Sequence, residues 1–158
     1  MLAVLAILQS TVLPLFAVGG AKPDLVFLVV VSWSLLRGAE EGIVWGFIGG
    51  LLLDTLSGGP FGVSSLALMS MSLLTGWGEM NLFRGHFLLP LAIIPLGTAI
   101  YYALTLILLN VFGQPLPWGL TFLRVMLPAA FVNLVAMPFV HWFMTRMHRR
   151  TGQRQFEW

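Results

Sequence analysis

The stretch that decides the fold is GIVWGFIGGLLLD, residues 42–54. In this apolar run, which ends at Asp54, glycine recurs at every fourth position, namely at Gly42, Gly46 and Gly50. Residues four apart lie on one face of an α-helix. Glycine on that face lets another helix approach to backbone distance, which is how helices associate in lipid. The run therefore predicts a closely packed helix inside a membrane.

The composition of the whole chain agrees with that prediction. Of its 158 residues, 58% are hydrophobic and 9% are charged, whereas about 25% are charged in an ordinary soluble domain. A membrane span takes about 20 mostly apolar residues, so the length allows five or six crossings and no sizeable soluble domain. Cysteine is absent from the sequence, which excludes disulfides, thiolate metal sites and cysteine nucleophiles.

Glycine, proline and polar residues divide the chain into six apolar segments. We expect helices at about 2–19, 24–37, 41–57, 61–80, 87–111 and 117–146, followed by a basic tail at 147–158. The second segment has only about a dozen apolar residues, a length that also suits a re-entrant or interfacial piece, so five crossings are the alternative. The predicted fold is an all-α integral membrane protein, a six-helix transmembrane bundle over residues 1–146.

The basic residues predict how the bundle is oriented. With six spans and both termini in the cytoplasm, Arg37, Arg84 and the arginines of the tail lie inside, and Lys22 falls in an outer loop. Cytoplasmic loops are enriched in lysine and arginine. We therefore expect both termini to be cytoplasmic. The same arginines do not form an aromatic-interleaved basic patch, so nucleic acid is not an expected partner.

Two charged residues fall inside the predicted spans. Asp54 lies about one turn inside the outer end of the third segment, and Arg124 lies about two turns inside the outer end of the sixth. A charge that faces lipid is costly. We expect these two residues to form an ion pair, or else to extend separately to the outer interface, with Asp24 or Lys22 as alternative partners.

The glycine stripe, Gly42, Gly46 and Gly50, has two interpretations. A six-helix bundle needs such faces in order to close on itself, which favours packing inside the molecule. The stripe and the adjoining outer end of the bundle are also the candidate surface for a partner protein.

No set of residues in the sequence indicates catalysis or a bound metal. Residues 62–64 form a G-x-S of the kind found in intramembrane serine proteases, but the predicted topology places His141, the candidate base, a full bilayer depth away. His86, His141 and His148 lack metal-ligand spacing with carboxylates. No glycine-rich phosphate loop appears. We therefore predict a protein without enzymatic activity, cofactor or metal.

An ordered series of short motifs lies in residues 23–62. The motifs are PDLV at 23–26, LLRG at 35–38, EG at 41–42, WGFIGGLLLD at 45–54 and SGGPFG at 57–62. Together they resemble the rod shape-determining protein MreD family. They cover about a quarter of the chain, and the remainder is similar in helix count, small size and basic tail.

That resemblance implies a non-enzymatic scaffold of the bacterial cell-elongation complex in the inner membrane. Such a protein would bind MreC, which has one membrane helix and an outer coiled coil, and would regulate peptidoglycan synthesis and cell shape. The complex would connect MreB filaments with the glycosyltransferase RodA and its partner transpeptidase. Membrane lipid is the other expected contact.

The family is also similar in fold to the substrate-binding membrane subunits of energy-coupling-factor transporters, which supplies an alternative function. In that case Asp24, Asp54 and Arg124 would face a vitamin-sized ligand. Short outer loops and a core with few hydrogen-bonding side chains favour the scaffold, because binding pockets need a few well-placed polar groups.

Overall fold

The computed structural model describes residues 1–11, 23–58, 60–82, 89–113, 119 and 122–151. Within these residues every regular element is a helix: α1 (Leu2–Thr11), α2 (Leu25–Arg37), α3 (Ala39–Ser57), α4 (Val63–Leu82), α5 (Leu89–Val111) and α6 (Leu127–Thr151). The predicted all-α architecture with six helices is confirmed. The predicted positions 12–19, Lys22, Arg84 and 152–158 lie outside the described residues.

The central helix of the bundle is α2. Ten of its 13 residues are buried, and it touches α1, α3, α4 and α6. A helix that is apolar on all sides belongs in the interior. At a rise of about 1.5 Å per residue, α2 is about 20 Å long, which is shorter than the roughly 30 Å hydrocarbon core of a bilayer. The short second segment of the sequence is thus a buried core helix.

Glycine turns bring α3 back along α2, and α4 back along α3. Gly38, with φ 90°, joins α2 to α3, and Gly58, with φ 66°, ends α3. Both φ values lie in the region that side chains disfavour. We call the end of the bundle with Gly38 the inner end and the end with residues 58–62 the outer end.

The last helix begins with an irregular turn. Phe122–Met126 forms a π-helical turn that leads into α6. Pro128 is the second residue of α6, and it has no N–H to donate to the carbonyl of Arg124, which its ring also crowds. A locally wider turn relieves that crowding. Pro95 and Pro138 lie inside α5 and α6, which continue past them.

Two helices in the described part of the chain are long and apolar enough to cross a membrane. Their spans are Ile94–Val111 in α5 and Arg124–His148, which includes α6. The helices α1 and α2 are shorter, the apolar stretch of α4 covers only Val63–Gly76, and α3 carries three carboxylates over its 19 residues. We expected six membrane spans. The structure has six α-helices in its described residues, and two of them are long and apolar enough to cross a membrane.

The bundle has an apolar core that also holds polar side chains, and its outside carries large apolar ones. Phe131, Phe139 and Trp142 on α6 are 69%, 75% and 63% exposed, and large apolar residues also cover the outward face of α3. The described residues nevertheless bury ten polar or charged side chains: Gln9, Asp24, Ser32, Ser34, Asp54, Ser65, Ser72, Thr75, Thr98 and Asn133. Soluble proteins rarely expose large apolar patches of this kind.

Candidate functional sites

Asp54 joins the end of α3 to the start of α4. Its side chain is 2% exposed, and its carboxylate accepts hydrogen bonds from the backbone N–H groups of Gly62 at 2.8 Å, Ser64 at 2.9 Å and Ser65 at 3.4 Å. The Ser65 hydroxyl donates a further bond at 3.3 Å. The first N–H groups of a helix have no partners within it, and the positive helix end stabilises an anion. Asp54 therefore caps α4.

Arg124 lies on the π-helical turn, and its side chain is exposed. The structure does not bring it together with Asp54, whose carboxylate is bound to the N-terminus of α4. Within the described residues the ion pair is instead Arg37 with Glu41. The hydrogen-bond donors to the Asp54 carboxylate are therefore mainly backbone N–H groups, whereas the sequence suggested Arg124.

The glycine stripe lies inside the bundle. A Cβ added at Gly42 would lie 2.5 Å from the Ser34 hydroxyl of α2, and one at Gly46 would lie 3.0 Å from the backbone of Leu68 in α4. At Gly50 it would collide with the backbone of Ser65. All three glycines are buried. The structure thus uses this face for packing against α2 and α4, which leaves no room there for a partner protein.

A hydrogen-bond network surrounds the start of α2. Gln9 donates to the Asp24 carboxylate at 2.7 Å and accepts from the backbone N–H of Val26 at 2.9 Å. The backbone N–H of Asp24 donates to Asn133 at 2.9 Å, and the Asn133 amide donates to Thr98 at 3.3 Å. The network therefore links α1, α2, α5 and α6 in the interior, where an unpaired polar group would be costly.

A second polar cluster lies at the inner end. Arg37 pairs with Glu41 at 3.2 Å and donates to the His148 ring at 2.9 Å. The Trp33 indole donates to Glu41 at 3.0 Å and stacks on Trp45, with ring centroids 4.7 Å apart. The Arg37 guanidinium also lies 5.2 Å from the centre of the Trp33 ring. The cluster fastens the α2–α3 junction to the end of α6.

The side chains considered for catalysis are placed as follows. Ser64 lies in the first turn of α4 at the outer end, where its N–H binds Asp54. His141 lies in α6, two turns before His148 of the inner-end cluster. The described residues contain no group of three or more histidine, cysteine or carboxylate side chains that could hold a metal ion.

Sequence reasoning missed Gln9 and the inner-end cluster. Gln9 is a lone amide in an apolar segment, and polar residues inside such segments usually face the protein interior. Trp33 and Arg37 are four residues apart, which is the spacing of neighbours on a helix, and Glu41 follows after the Gly38 turn. Nothing in the sequence pointed to His148 as their partner.

These features define an all-α bundle protein in which buried polar side chains join helices to one another. The chain matches the family described as rod shape-determining protein MreD over residues 1–148. It therefore belongs to the MreD family, a family of membrane-associated, shape-determining structural proteins, and the resemblance seen in residues 23–62 is confirmed. No curated protein and no solved structure matches the chain. The suggested likeness to energy-coupling-factor transporter subunits has no support from these comparisons.

Proposed function

We propose that this protein is a multi-pass scaffold of the cell-elongation complex in the bacterial inner membrane. It binds MreC and thereby regulates peptidoglycan synthesis and cell shape. The observation that carries the proposal is the family match, which extends over residues 1–148. MreC would in turn link the bundle to MreB filaments, RodA and its partner transpeptidase.

The distribution of side chains supports a location within the membrane. The outward faces of α3 and α6 are apolar, with Phe47 49% and Phe139 75% exposed, while Asp24, Asp54 and Asn133 are buried. Lipid favours apolar exteriors, and polar groups within it must be paired inside the protein. Six crossings with both termini in the cytoplasm remain our topology.

A scaffolding role agrees with what the polar side chains do. Asp54 caps a helix, Gln9 and Asn133 link helices, and Arg37 fastens the inner end. Each contact stabilises the bundle itself. The membrane helix of MreC would then dock on an outward apolar face, because the glycine stripe is covered by α2 and α4.

Single-cysteine labelling tests the topology. The natural sequence has no cysteine, so each introduced thiol reports on one position only. Phe61→Cys and Phe112→Cys lie at predicted outer connections, and Glu40→Cys lies at an inner one. A membrane-impermeant maleimide added to intact spheroplasts should label the first two and should reach the third only after lysis. Equal labelling of all three before lysis would contradict the topology.

An affinity purification tests the scaffold itself. The tagged protein would be isolated from bacterial membranes in mild detergent, and both proteins and small molecules in the eluate would be identified by mass spectrometry. We expect stoichiometric MreC without a retained vitamin. Recovery of a vitamin or an ATPase module in the absence of MreC would overturn the proposal.

A further inference from the structure

An apolar groove runs between α1 and α6, with α2 as its floor. Its volume is about 510 Å³, and apolar side chains alone line it. The lining residues that matter here are Val4 and Leu5 of α1, Val29 of α2, and Phe139, Phe143 and Met144 of α6. Val4 and Phe139 are 60% and 75% exposed, so the groove opens on the outside of the bundle.

Beside this groove lies a second depression of about 340 Å³, which is lined in part by the positively charged Arg146. Trp142, Phe143, Arg146 and Met147 line it, and Phe143 belongs to both depressions. Arg146 is exposed, and its guanidinium lies 5.6 Å from the centre of the Trp142 ring. None of the lining residues is acidic. The apolar groove therefore adjoins a cationic site near the inner end.

We propose that an anionic phospholipid binds here, with an acyl chain in the α1–α6 groove and its phosphate at Arg146. Arg146 is the third residue from the end of the apolar span Arg124–His148, counting His148, and the ends of a membrane span meet the lipid headgroups. Tryptophan and arginine are favoured at that boundary. The guanidinium fork fits phosphate oxygens, and the apolar groove fits a hydrocarbon chain.

Charge favours a lipid over a protein helix as the occupant. The residues that line the groove provide no hydrogen-bonding side chain along its length, and Arg146 supplies a positive charge in the adjoining depression. An anionic phospholipid is complementary to this arrangement, because its apolar chains are joined to a negatively charged headgroup. Anionic lipids are enriched in the cytoplasmic leaflet, where they attract nearby arginine and lysine.

Native mass spectrometry of the full-length protein tests this assignment. The purified and delipidated protein would be titrated in neutral detergent with phosphatidylglycerol or phosphatidylcholine carrying the same two acyl chains. We expect tighter binding of phosphatidylglycerol. Arg146→Gln should weaken that binding by about fivefold, which corresponds to roughly 1 kcal/mol for one surface arginine, and should leave phosphatidylcholine binding unchanged.

Two matched pairs of variants locate the site. Val4→Trp fills the groove and should reduce binding of both lipids, whereas Val44→Trp, on the exposed face of α3, should not. Arg124→Gln removes the exposed cation near the other end of the last helix and should leave phosphatidylglycerol binding as in the wild type. Circular dichroism verifies that each variant remains helical.

Three outcomes would overturn the assignment. The first is equal binding of the two lipids by the wild type, and the second is an equal effect of Arg146→Gln and Arg124→Gln. The third is a Val4→Trp variant that still binds lipid but no longer binds MreC or self-associates. That result would mean that a protein occupies the groove. The inference rests on the proposed membrane location, and the two fail differently: a protein outside the membrane would be recovered without detergent.

Discussion

The α3–α4 seam, where Gly46 and Gly50 meet α4, and the α1–α6 groove both lie between apolar helices, yet they differ in how closely the helices approach. In the seam, Gly46 and Gly50 face the backbone of α4 so closely that an added Cβ would lie 3.0 Å from it at Gly46 and would collide with it at Gly50. In the groove, Val4 and Leu5 face Phe139 and Phe143 across a cavity of about 510 Å³. The presence or absence of a side chain at the crossing thus decides whether two helices pack together or leave a space between them.

The largest effect should come from a side chain introduced between α3 and α4. Gly50→Val places a branched side chain where even a Cβ collides with the Ser65 backbone, and overpacking of this kind costs about 3 kcal/mol or more. We expect a large loss of thermal stability in detergent, measured by circular dichroism. Val44→Leu, on the exposed face of the same helix, is the control and should melt like the wild type.

The next effect should come from the cap at the outer end of the seam. Asp54→Ala leaves the N–H groups of Gly62 and Ser64 without their acceptor, so unfolding should become easier by about 2 kcal/mol. Arg124→Gln should change stability little. The exchange variant, Asp54→Arg with Arg124→Asp, should be at least as unstable as Asp54→Ala. Recovery of wild-type stability in the exchange variant would show that the two charges pair.

A smaller effect is expected in the buried hydrogen-bond network beside the groove, which links α2 to α5 and α6. Asn133→Ala leaves the buried N–H of Asp24 without its acceptor, which should cost about 1–2 kcal/mol. Thr98→Val removes the longer bond of 3.3 Å and should cost less. Equal melting temperatures for Asn133→Ala and the wild type would mean that the network does not hold α2 to α6.

The smallest effect should be found in the groove itself. Phe143 is 51% exposed, so Phe143→Ala should change the free energy of unfolding by no more than about 0.5 kcal/mol. The same truncation at the seam-facing Leu68, which is fully buried, should cost about 2–5 kcal/mol. A Phe143→Ala variant as unstable as Leu68→Ala would show that the groove is held as rigidly as the seam.

The sequence was sufficient to predict features that depend on neighbouring residues. Helix positions and the glycine face follow from periodicity, because residues four apart share a side of the helix. The sequence did not determine which helix covers that face. Nor did it reveal the contacts of Asp24 with Asn133 and of Arg37 with His148, whose partners are 109 and 111 residues apart. Such pairs depend on how whole helices are arranged.

The hydrogen bonds of Asp54 have a physical origin that its charge alone does not suggest. A buried carboxylate predicts a cationic partner such as Arg124, but the backbone N–H groups of α4 already supply donors. The start of a helix is itself a positive site, and α4 begins nine residues after Asp54, at Val63. A carboxylate placed just before a glycine-rich turn and a new helix can therefore be satisfied locally, without a cationic side chain.

The cap on α4 bears on the order in which the protein assembles. Asp54, the glycine stripe and their contacts in α4 all lie within residues 39–82, so they need no later part of the chain, and contacts close in sequence form fastest. We expect α3 and α4 to enter the membrane as a ready-made hairpin during synthesis, before α6 arrives to enclose α2. Ser65, which Gly50 meets in the structure, is buried, and Ser65→Cys changes its size little. Ribosome-bound chains long enough for residue 82 to have left the ribosome should already protect Ser65→Cys from labelling, and the additional change Asp54→Ala should remove that protection.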